Sequence, residues 1–146
     1  MDVREPKNRS AYGPTNVAGP RIVAVCAELS DAEPIALSLE QQNTGSLLIY
    51  NRQSELILNP PVGVIDLFAL FDRENLEATA ETLRWLGRYW PRAMTVVIGA
   101  LGASGQELEA RMGGAMYFVY PAYGGQWRSL VGLAATRVAR TDTPAA

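Results

Sequence analysis

Short runs of apolar residues, many of them β-branched, recur along the chain and are separated by more polar segments. Runs of this kind are typical of strands that are buried on both faces of a parallel sheet. In the third run, Val-Gly-Val-Ile-Asp-Leu, the strand is interpreted as finishing in an acid, Asp66. The runs predict five strands, at residues 21–27, 46–50, 62–67, 94–98 and 116–120.

The segments between the runs contain the three- and four-residue spacing of amphipathic helices. The clearest covers 72–89, in which leucine and alanine recur between glutamate and arginine residues. The segment 51–61 is ambiguous, because its centre fits either a short helix or the return arm of a hairpin. Further helices are predicted at about 31–42, 106–112 and 126–137.

Strands that alternate with helices predict an α/β fold with a mostly parallel sheet and helices on both faces. Five strands in 146 residues favour a flavodoxin-like, doubly wound sheet of order 2-1-3-4-5 with right-handed crossovers. Residues 1–20 are rich in proline, glycine and polar residues and are interpreted as a flexible leader. Residues 21–137 then form one domain, and 138–146 form a tail.

The composition excludes several classes of catalytic and metal site. The chain has no histidine, which excludes Ser-His-Asp and Cys-His catalysis and any histidine metal ligand. A single cysteine, Cys26, excludes an intrachain disulfide and a zinc site built from cysteines. The one lysine, Lys7, lies in the predicted leader, so the folded body has no phosphate-binding or Schiff-base lysine. The composition leaves carboxylate chemistry at most, or no chemistry at all, and of these two we expect the second, with no enzymatic activity, no metal and no cofactor.

The net charge of the chain limits the classes of partner that it is expected to bind. A net charge of −2 and a pI near 5.2 give no electrostatic basis for binding nucleic acid or anionic membranes. No segment approaches the roughly 18 to 20 consecutive apolar residues that cross a bilayer, and the polar N-terminus lacks a secretory signal. We therefore expect a cytoplasmic protein.

The segment 113–121, Gly-Gly-Ala-Met-Tyr-Phe-Val-Tyr-Pro, has the spacing Gly-Ala-x-x-Tyr/Phe-x-x-Lys-Pro. In this it resembles the response-regulator receiver domain of bacterial two-component signalling, which ends its fourth helix and fifth strand with that pattern. Upstream, 62–66 resembles the third receiver strand, which carries the phosphoacceptor aspartate, here Asp66. Residues 95–100 resemble the fourth strand, and the resemblance as a whole covers about 21–136.

Other receiver positions depart from the pattern. An active receiver holds Mg²⁺ with a pair of acids after its first strand, together with the phosphoacceptor. The resemblance places Cys26 and Ala27 at this pair, and a shift of one residue brings in only Glu28. Gly99 stands where receivers carry Ser or Thr, and Tyr120 stands at the lysine position. The resemblance therefore implies a degenerate pseudo-receiver that is not phosphorylated in a Mg²⁺-dependent way.

The expected function is that of a non-catalytic, stand-alone pseudo-receiver that acts through protein–protein contacts. Receivers pair, or bind other proteins, through helix 4, strand 5 and helix 5, which implies a face within about 106–131. The partner is another protein or a second copy of this chain. Aromatic residues are frequent anchors of such surfaces. The candidate contact residues are Tyr117, Tyr120, Tyr123 and Trp127.

Alternative interpretations remain open at this point. One is an atypical receiver that is phosphorylated on Asp66. A second is a small doubly wound protein that binds a nucleotide or flavin at the carboxyl ends of its strands. A third, an anti-sigma-antagonist-like domain, requires a hairpin within 46–58. For the pseudo-receiver, a cis Tyr120-Pro121 bond is expected, which would aim the Tyr120 ring over the pocket.

Overall fold

The fold is built around a six-stranded sheet. The computed structural model describes residues 8–12, 19–71, 76–100, 104–120, 122 and 124–142. The strands are β1 (Asn8–Tyr12), β2 (Arg21–Val25), β3 (Ser46–Tyr50), β4 (Leu67–Phe71), β5 (Met94–Gly99) and β6 (Met116–Val119). The helices are α1 (Leu29–Gln42), α2 (Gln53–Leu58), α3 (Leu76–Tyr89), α4 (Ser104–Met112) and α5 (Gly124–Asp142). Within these residues, no helix has the length and apolar character needed to cross a membrane.

The strand order is β1-β3-β2-β4-β5-β6, and the strands from β2 to β6 are parallel. Counted from β2, this is the order 2-1-3-4-5, so the predicted flavodoxin-like sheet is confirmed. One face packs against α1 and α5, and the other face packs against α2, α3 and α4. The parallel strands are buried because both faces are covered by helices.

Two elements, β1 and α5, differ from the sequence interpretation, and α2 decides between two alternatives that the sequence left open. β1 lies in the predicted leader, pairs antiparallel with β3, and has an irregular register between Ser10 and Tyr12. α2 is a helix, so the hairpin required by the anti-sigma-antagonist alternative does not form. α5 continues to Asp142, beyond the predicted end at residue 137.

The largest correction concerns β4, which covers Leu67–Phe71 and not residues 62–67. The observed strand is an unbroken apolar run, Leu-Phe-Ala-Leu-Phe, and all five residues are buried. In the predicted strand, Val62 and Val64 are 84% and 71% exposed, and Gly63 has a φ of +91° that interrupts an extended chain. The predicted third strand was therefore placed about five residues too early.

Trp127 joins α5 to the sheet and is only 1% exposed. Its ring stacks on Phe71 at the end of β4, with 5.8 Å between ring centroids. It also meets Phe118 of β6 edge-on at 5.7 Å. Aromatic pairs at these separations add to the stabilisation that comes from burial itself. Trp127 is therefore a core residue that fixes the position of α5.

We expect Trp127→Ala to lower the free energy of unfolding by about 3 to 5 kcal/mol, because the indole would leave a cavity between α5 and the sheet. Urea unfolding followed by circular dichroism measures the change. Leu133→Ala is the control, since Leu133 is exposed on the same helix, and it should stay within about 0.5 kcal/mol of the wild type. Equal midpoints for Trp127→Ala and the wild type would contradict the expected role.

Candidate functional site

The carboxyl edge of the parallel sheet brings most of the predicted pocket residues together. Cys26 and Ala27 directly follow β2, Gly99 ends β5, and Tyr120 follows β6. In parallel strands the carboxyl ends all lie at one edge, where α/β proteins place their ligands. The predicted grouping of these four residues therefore agrees with the fold.

Asp66 does not join this group. It immediately precedes β4, so a strand of five residues, about 16 Å long, separates it from the carboxyl edge. Its main-chain N–H donates to the Arg21 carbonyl at 2.8 Å, and its Oδ2 accepts from the Arg21 N–H at 2.8 Å. Asp66 is therefore a residue of the amino edge, and its predicted place as the phosphoacceptor equivalent is wrong.

The acid that follows β4 along the chain is Asp72, which lies outside the described residues. The sequence analysis missed it because a β-branched run with an acid near its end was preferred to the run that follows. The signal was present, since residues 67–71 are the longer uninterrupted apolar run and Asp72 comes directly after it.

The residues after β2 provide poor ligands for a hard cation. Cys26 is buried, and burial together with the nearby Asp31 carboxylate raises the pKa of its thiol to about 12. The thiol is therefore neutral at physiological pH and remains so well above it. Ala27 has no ligand atom, and Glu28 is exposed at the N-cap of α1. Within the described part of the chain, no cluster of three or more His, Cys, Asp or Glu side chains could hold a metal ion.

Gly99 at the end of β5 is in close contact with two polar side chains. The Tyr117 hydroxyl lies 2.9 Å from both the Ala100 carbonyl oxygen and Gln106 Oε1. The same Gln106 oxygen accepts the Ala100 N–H at 3.1 Å. A Cβ atom at Gly99 would overlap the Tyr117 hydroxyl and the Gln106 amide. Glycine at this position therefore allows a side-chain network to occupy the end of β5.

Tyr120 links the end of β6 to the first turn of α1. Its hydroxyl donates to Asp31 Oδ1 at 2.9 Å, and its main-chain N–H donates to the Gly99 carbonyl at 2.7 Å. The side chain thus extends along the carboxyl edge from β6 towards the helix that follows β2. Pro121, and with it the predicted cis bond, lies outside the described residues.

The four predicted contact residues do not form one exposed surface. Trp127 is in the core, and the Tyr117 hydroxyl points inward to Gln106. Tyr120 is 40% exposed and its hydroxyl contacts α1, while Tyr123 lies outside the described residues. Of the three described residues, Trp127 and Tyr117 make their contacts within the domain.

The exposed apolar side chains of this region are aliphatic and were missed by the sequence analysis. Leu108 and Met112 on α4 are 59% and 74% exposed, and Val119 of β6 is also exposed. Leu108 and Met112 are four residues apart and so lie on one side of the helix. Ala110 lies between them in sequence, on the opposite side of α4, and is buried against the sheet. Leu108 and Met112 therefore lie on the side of α4 that faces away from the sheet.

Solved structures that are similar to this chain include response regulators and their receiver domains. A response regulator from Thermotoga maritima matches with a TM-score of 0.69 and 16% identity, over 81% of this chain and 98% of that chain. A CheY-like receiver domain protein from Methanospirillum hungatei JF-1 matches with a TM-score of 0.69 and 12% sequence identity. This match covers 84% of this chain and 98% of that chain. The chain has a receiver fold.

A third structure with the receiver fold is the beryllofluoride-activated NtrC4 receiver domain dimer. It matches with a TM-score of 0.63 and 14% identity, over 81% of this chain and 98% of that chain. No family model matches the chain, and no curated protein matches its sequence. These comparisons show the fold of the chain.

We expect Gly99→Ala to destabilise the protein by about 1 to 3 kcal/mol, because the added methyl group would displace Gln106 and Tyr117. Gln106→Ala should cost about 1 kcal/mol through its lost hydrogen bonds. The double variant should cost less than the sum, since the shorter side chain leaves room for the methyl group.

Chemical unfolding of the four proteins measures this coupling. Gly87→Ala is the matched control, because a Cβ at this position in α3 would meet no atom within 4 Å. It should stabilise the helix by roughly 0.5 to 1 kcal/mol. Strictly additive costs for Gly99 and Gln106 would show that the two residues do not share this space.

Proposed function

We propose that this protein is a non-catalytic pseudo-receiver, which acts in signal transduction by contact with a second copy of itself and without Mg²⁺-dependent aspartyl phosphorylation. The observation that carries the proposal is the occupied end of β5. There, the Gln106 amide and the Tyr117 hydroxyl bind each other and the backbone of Ala100. A site for an incoming phosphoryl group would need this space and these hydrogen bonds.

The described residues that follow β2 do not fit the Mg²⁺ ion on which active receivers depend. Mg²⁺ requires hard oxygen ligands in near-octahedral geometry. The positions after β2 supply the neutral Cys26 thiol and the methyl group of Ala27. Glu28 is exposed at the helix N-cap and has no second acid beside it in sequence. These features support a domain that does not bind this cation in the manner of an active receiver.

The hydrogen bonds of Tyr117 also support the proposal, because they favour a single orientation of its ring. Its hydroxyl is held by Gln106 and Ala100, and the missing side chain of Gly99 leaves room for that inward position. Turning the ring outward would leave the half-buried Gln106 oxygen with one partner fewer. Gln106 would keep the hydrogen bond from the Ala100 N–H, so the loss is that of an ordinary hydrogen bond, about 0.5 to 1.5 kcal/mol. The inward position is thereby favoured without any ligand.

We expect no phosphoryl group on the protein after incubation with acetyl phosphate and Mg²⁺, because the acid pair and the β5 hydroxyl are missing. Intact-mass spectrometry measures the outcome, with a phosphorylatable receiver as the positive control. Asp72→Asn and Asp66→Asn identify any acceptor. An added phosphoryl group that is lost in Asp72→Asn and kept in Asp66→Asn would overturn the proposal in favour of an active receiver.

The contact surface that we propose consists of Leu108, Met112 and Val119, on α4 and β6. Arg111 and Glu107 form an ion pair of 2.9 Å on the same helix, so both signs of charge border the apolar residues. A surface that carries both signs suits a twofold contact, in which each patch meets its own copy. The beryllofluoride-activated NtrC4 receiver domain, which shares the fold, is a dimer. These observations favour a second copy as the partner.

We expect analytical ultracentrifugation to show dimers of the wild type and monomers of Leu108→Glu and Met112→Glu, since a buried unpaired carboxylate is costly at an apolar contact. Leu37→Glu is the matched control, because Leu37 is 54% exposed on α1, which lies on the other face of the sheet. A monomeric wild type, or equal loss of dimer in Leu37→Glu, would contradict the proposed surface.

A further inference from the structure

A cavity of about 400 Å³ lies at the amino edge of the sheet, opposite to the pocket of the receiver fold. Three arginines, Arg21, Arg92 and Arg137, contribute to its lining, together with one acid, Asp66. Among the described residues of the lining there are thus three positive charges and one negative charge, within a protein whose net charge is −2. Such a concentration of one sign around a cavity attracts ligands of the other sign.

The wall of the cavity is held by specific hydrogen bonds. Arg21 Nη1 donates to the Val64 carbonyl at 3.1 Å, and Arg137 Nη2 donates to the Arg92 carbonyl at 2.8 Å. Trp90 Nε1 donates to the Gly63 carbonyl at 3.0 Å, which holds the loop before β4. The first two bonds orient the Arg21 and Arg137 guanidinium groups beside the cavity, and the Arg92 side chain completes the basic lining.

Gly63 makes the close approach of Arg21 possible. Its φ of +91° favours glycine, and a Cβ there would come within 2.8 Å of Arg21 Nη1. A guanidinium has five N–H donors, so the bond from Arg21 to Val64 leaves others for a ligand. The loop is thus shaped around an oriented guanidinium group.

The favourable interaction of a cation with the C-terminus of a helix does not explain why the three arginines lie at this cavity. The favourable effect of a cation on a helix C-terminus is confined to about the last turn. Arg21 is on a strand, Arg92 comes three residues after the end of α3, and Arg137 is five residues before the end of α5. Their grouping at one cavity therefore calls for another explanation.

We propose that the amino-edge cavity binds a small phosphorylated organic molecule, whose phosphate contacts Arg21, Arg92 and Arg137. The planar guanidinium group matches the oxygen geometry of phosphate. Val64 and Val138 add apolar lining for an organic part, and the volume lies within the roughly 300 to 1,000 Å³ typical of small-molecule sites. The proposal concerns the opposite edge of the sheet and does not rest on the pseudo-receiver function.

Phenyl phosphate is a suitable probe because it combines a phosphate with a compact apolar group. At low ionic strength, it should give saturable NMR shifts of the main-chain amides of Arg21, Val64 and Asp66. Inorganic phosphate should bind the same site more weakly, and added salt should weaken both. Equal affinity of the two probes would overturn the organic part of the proposal. Shifts that do not saturate, or that spread over the surface, would overturn the site.

Two variants should change the affinity in opposite directions. Arg92→Gln should weaken phenyl phosphate binding by about tenfold or more, through the loss of a charged donor. Asp66→Asn should strengthen it, because the amide oxygen still accepts the Arg21 N–H while the negative charge is removed. Arg84→Gln, on the exposed surface of α3, should leave the affinity for phenyl phosphate unchanged. Thermal unfolding verifies that each variant is folded, and equal weakening in Arg92→Gln and Arg84→Gln would overturn the proposal.

Discussion

Two hydrogen bonds between Arg21 and Asp66 determine where β4 begins, and both edges of the sheet depend on that register. The backbone N–H of each residue donates to the other, to the Asp66 carboxylate and to the Arg21 carbonyl. With Asp66 held at the start of β2, the buried run Leu67–Phe71 becomes the strand. The same pairing brings Asp66 and the Arg21 side chain to the amino-edge cavity, and Phe71 ends the strand at the carboxyl edge.

The order of the parallel sheet could be predicted from sequence because strand runs and helices alternate along the chain. The placement of the third strand was harder to predict, because two apolar runs, 62–67 and 67–71, adjoin each other. Within the segment, only the greater unbroken apolar length of 67–71 favours the observed strand. The contact with Arg21, which is 45 residues distant from Asp66 along the chain, is not visible in that pattern. The error moved the candidate acid to the wrong edge of the sheet.

The sequence predicts which metal-binding and phosphoryl-binding side chains the candidate site lacks. It predicts less well how the side chains that are present are arranged. The absence of acids at Cys26 and Ala27 follows from the sequence alone, since a side chain that is not encoded cannot bind a metal. The direction of Tyr117 does not follow, because β6 is partly exposed and its alternation leaves both sides open to an aromatic residue. That direction depends on Gln106, on a different element, and on the space beside Gly99.

The antiparallel strand β1 has a consequence for the behaviour of the protein at high concentration. It covers main-chain groups of β3 that would otherwise form an open edge, where the strand of another molecule could add. The irregular register between Ser10 and Tyr12 interrupts the regular ladder that such an added strand would need. Resistance to edge-to-edge aggregation therefore resides partly in a segment that precedes the first strand of the receiver fold.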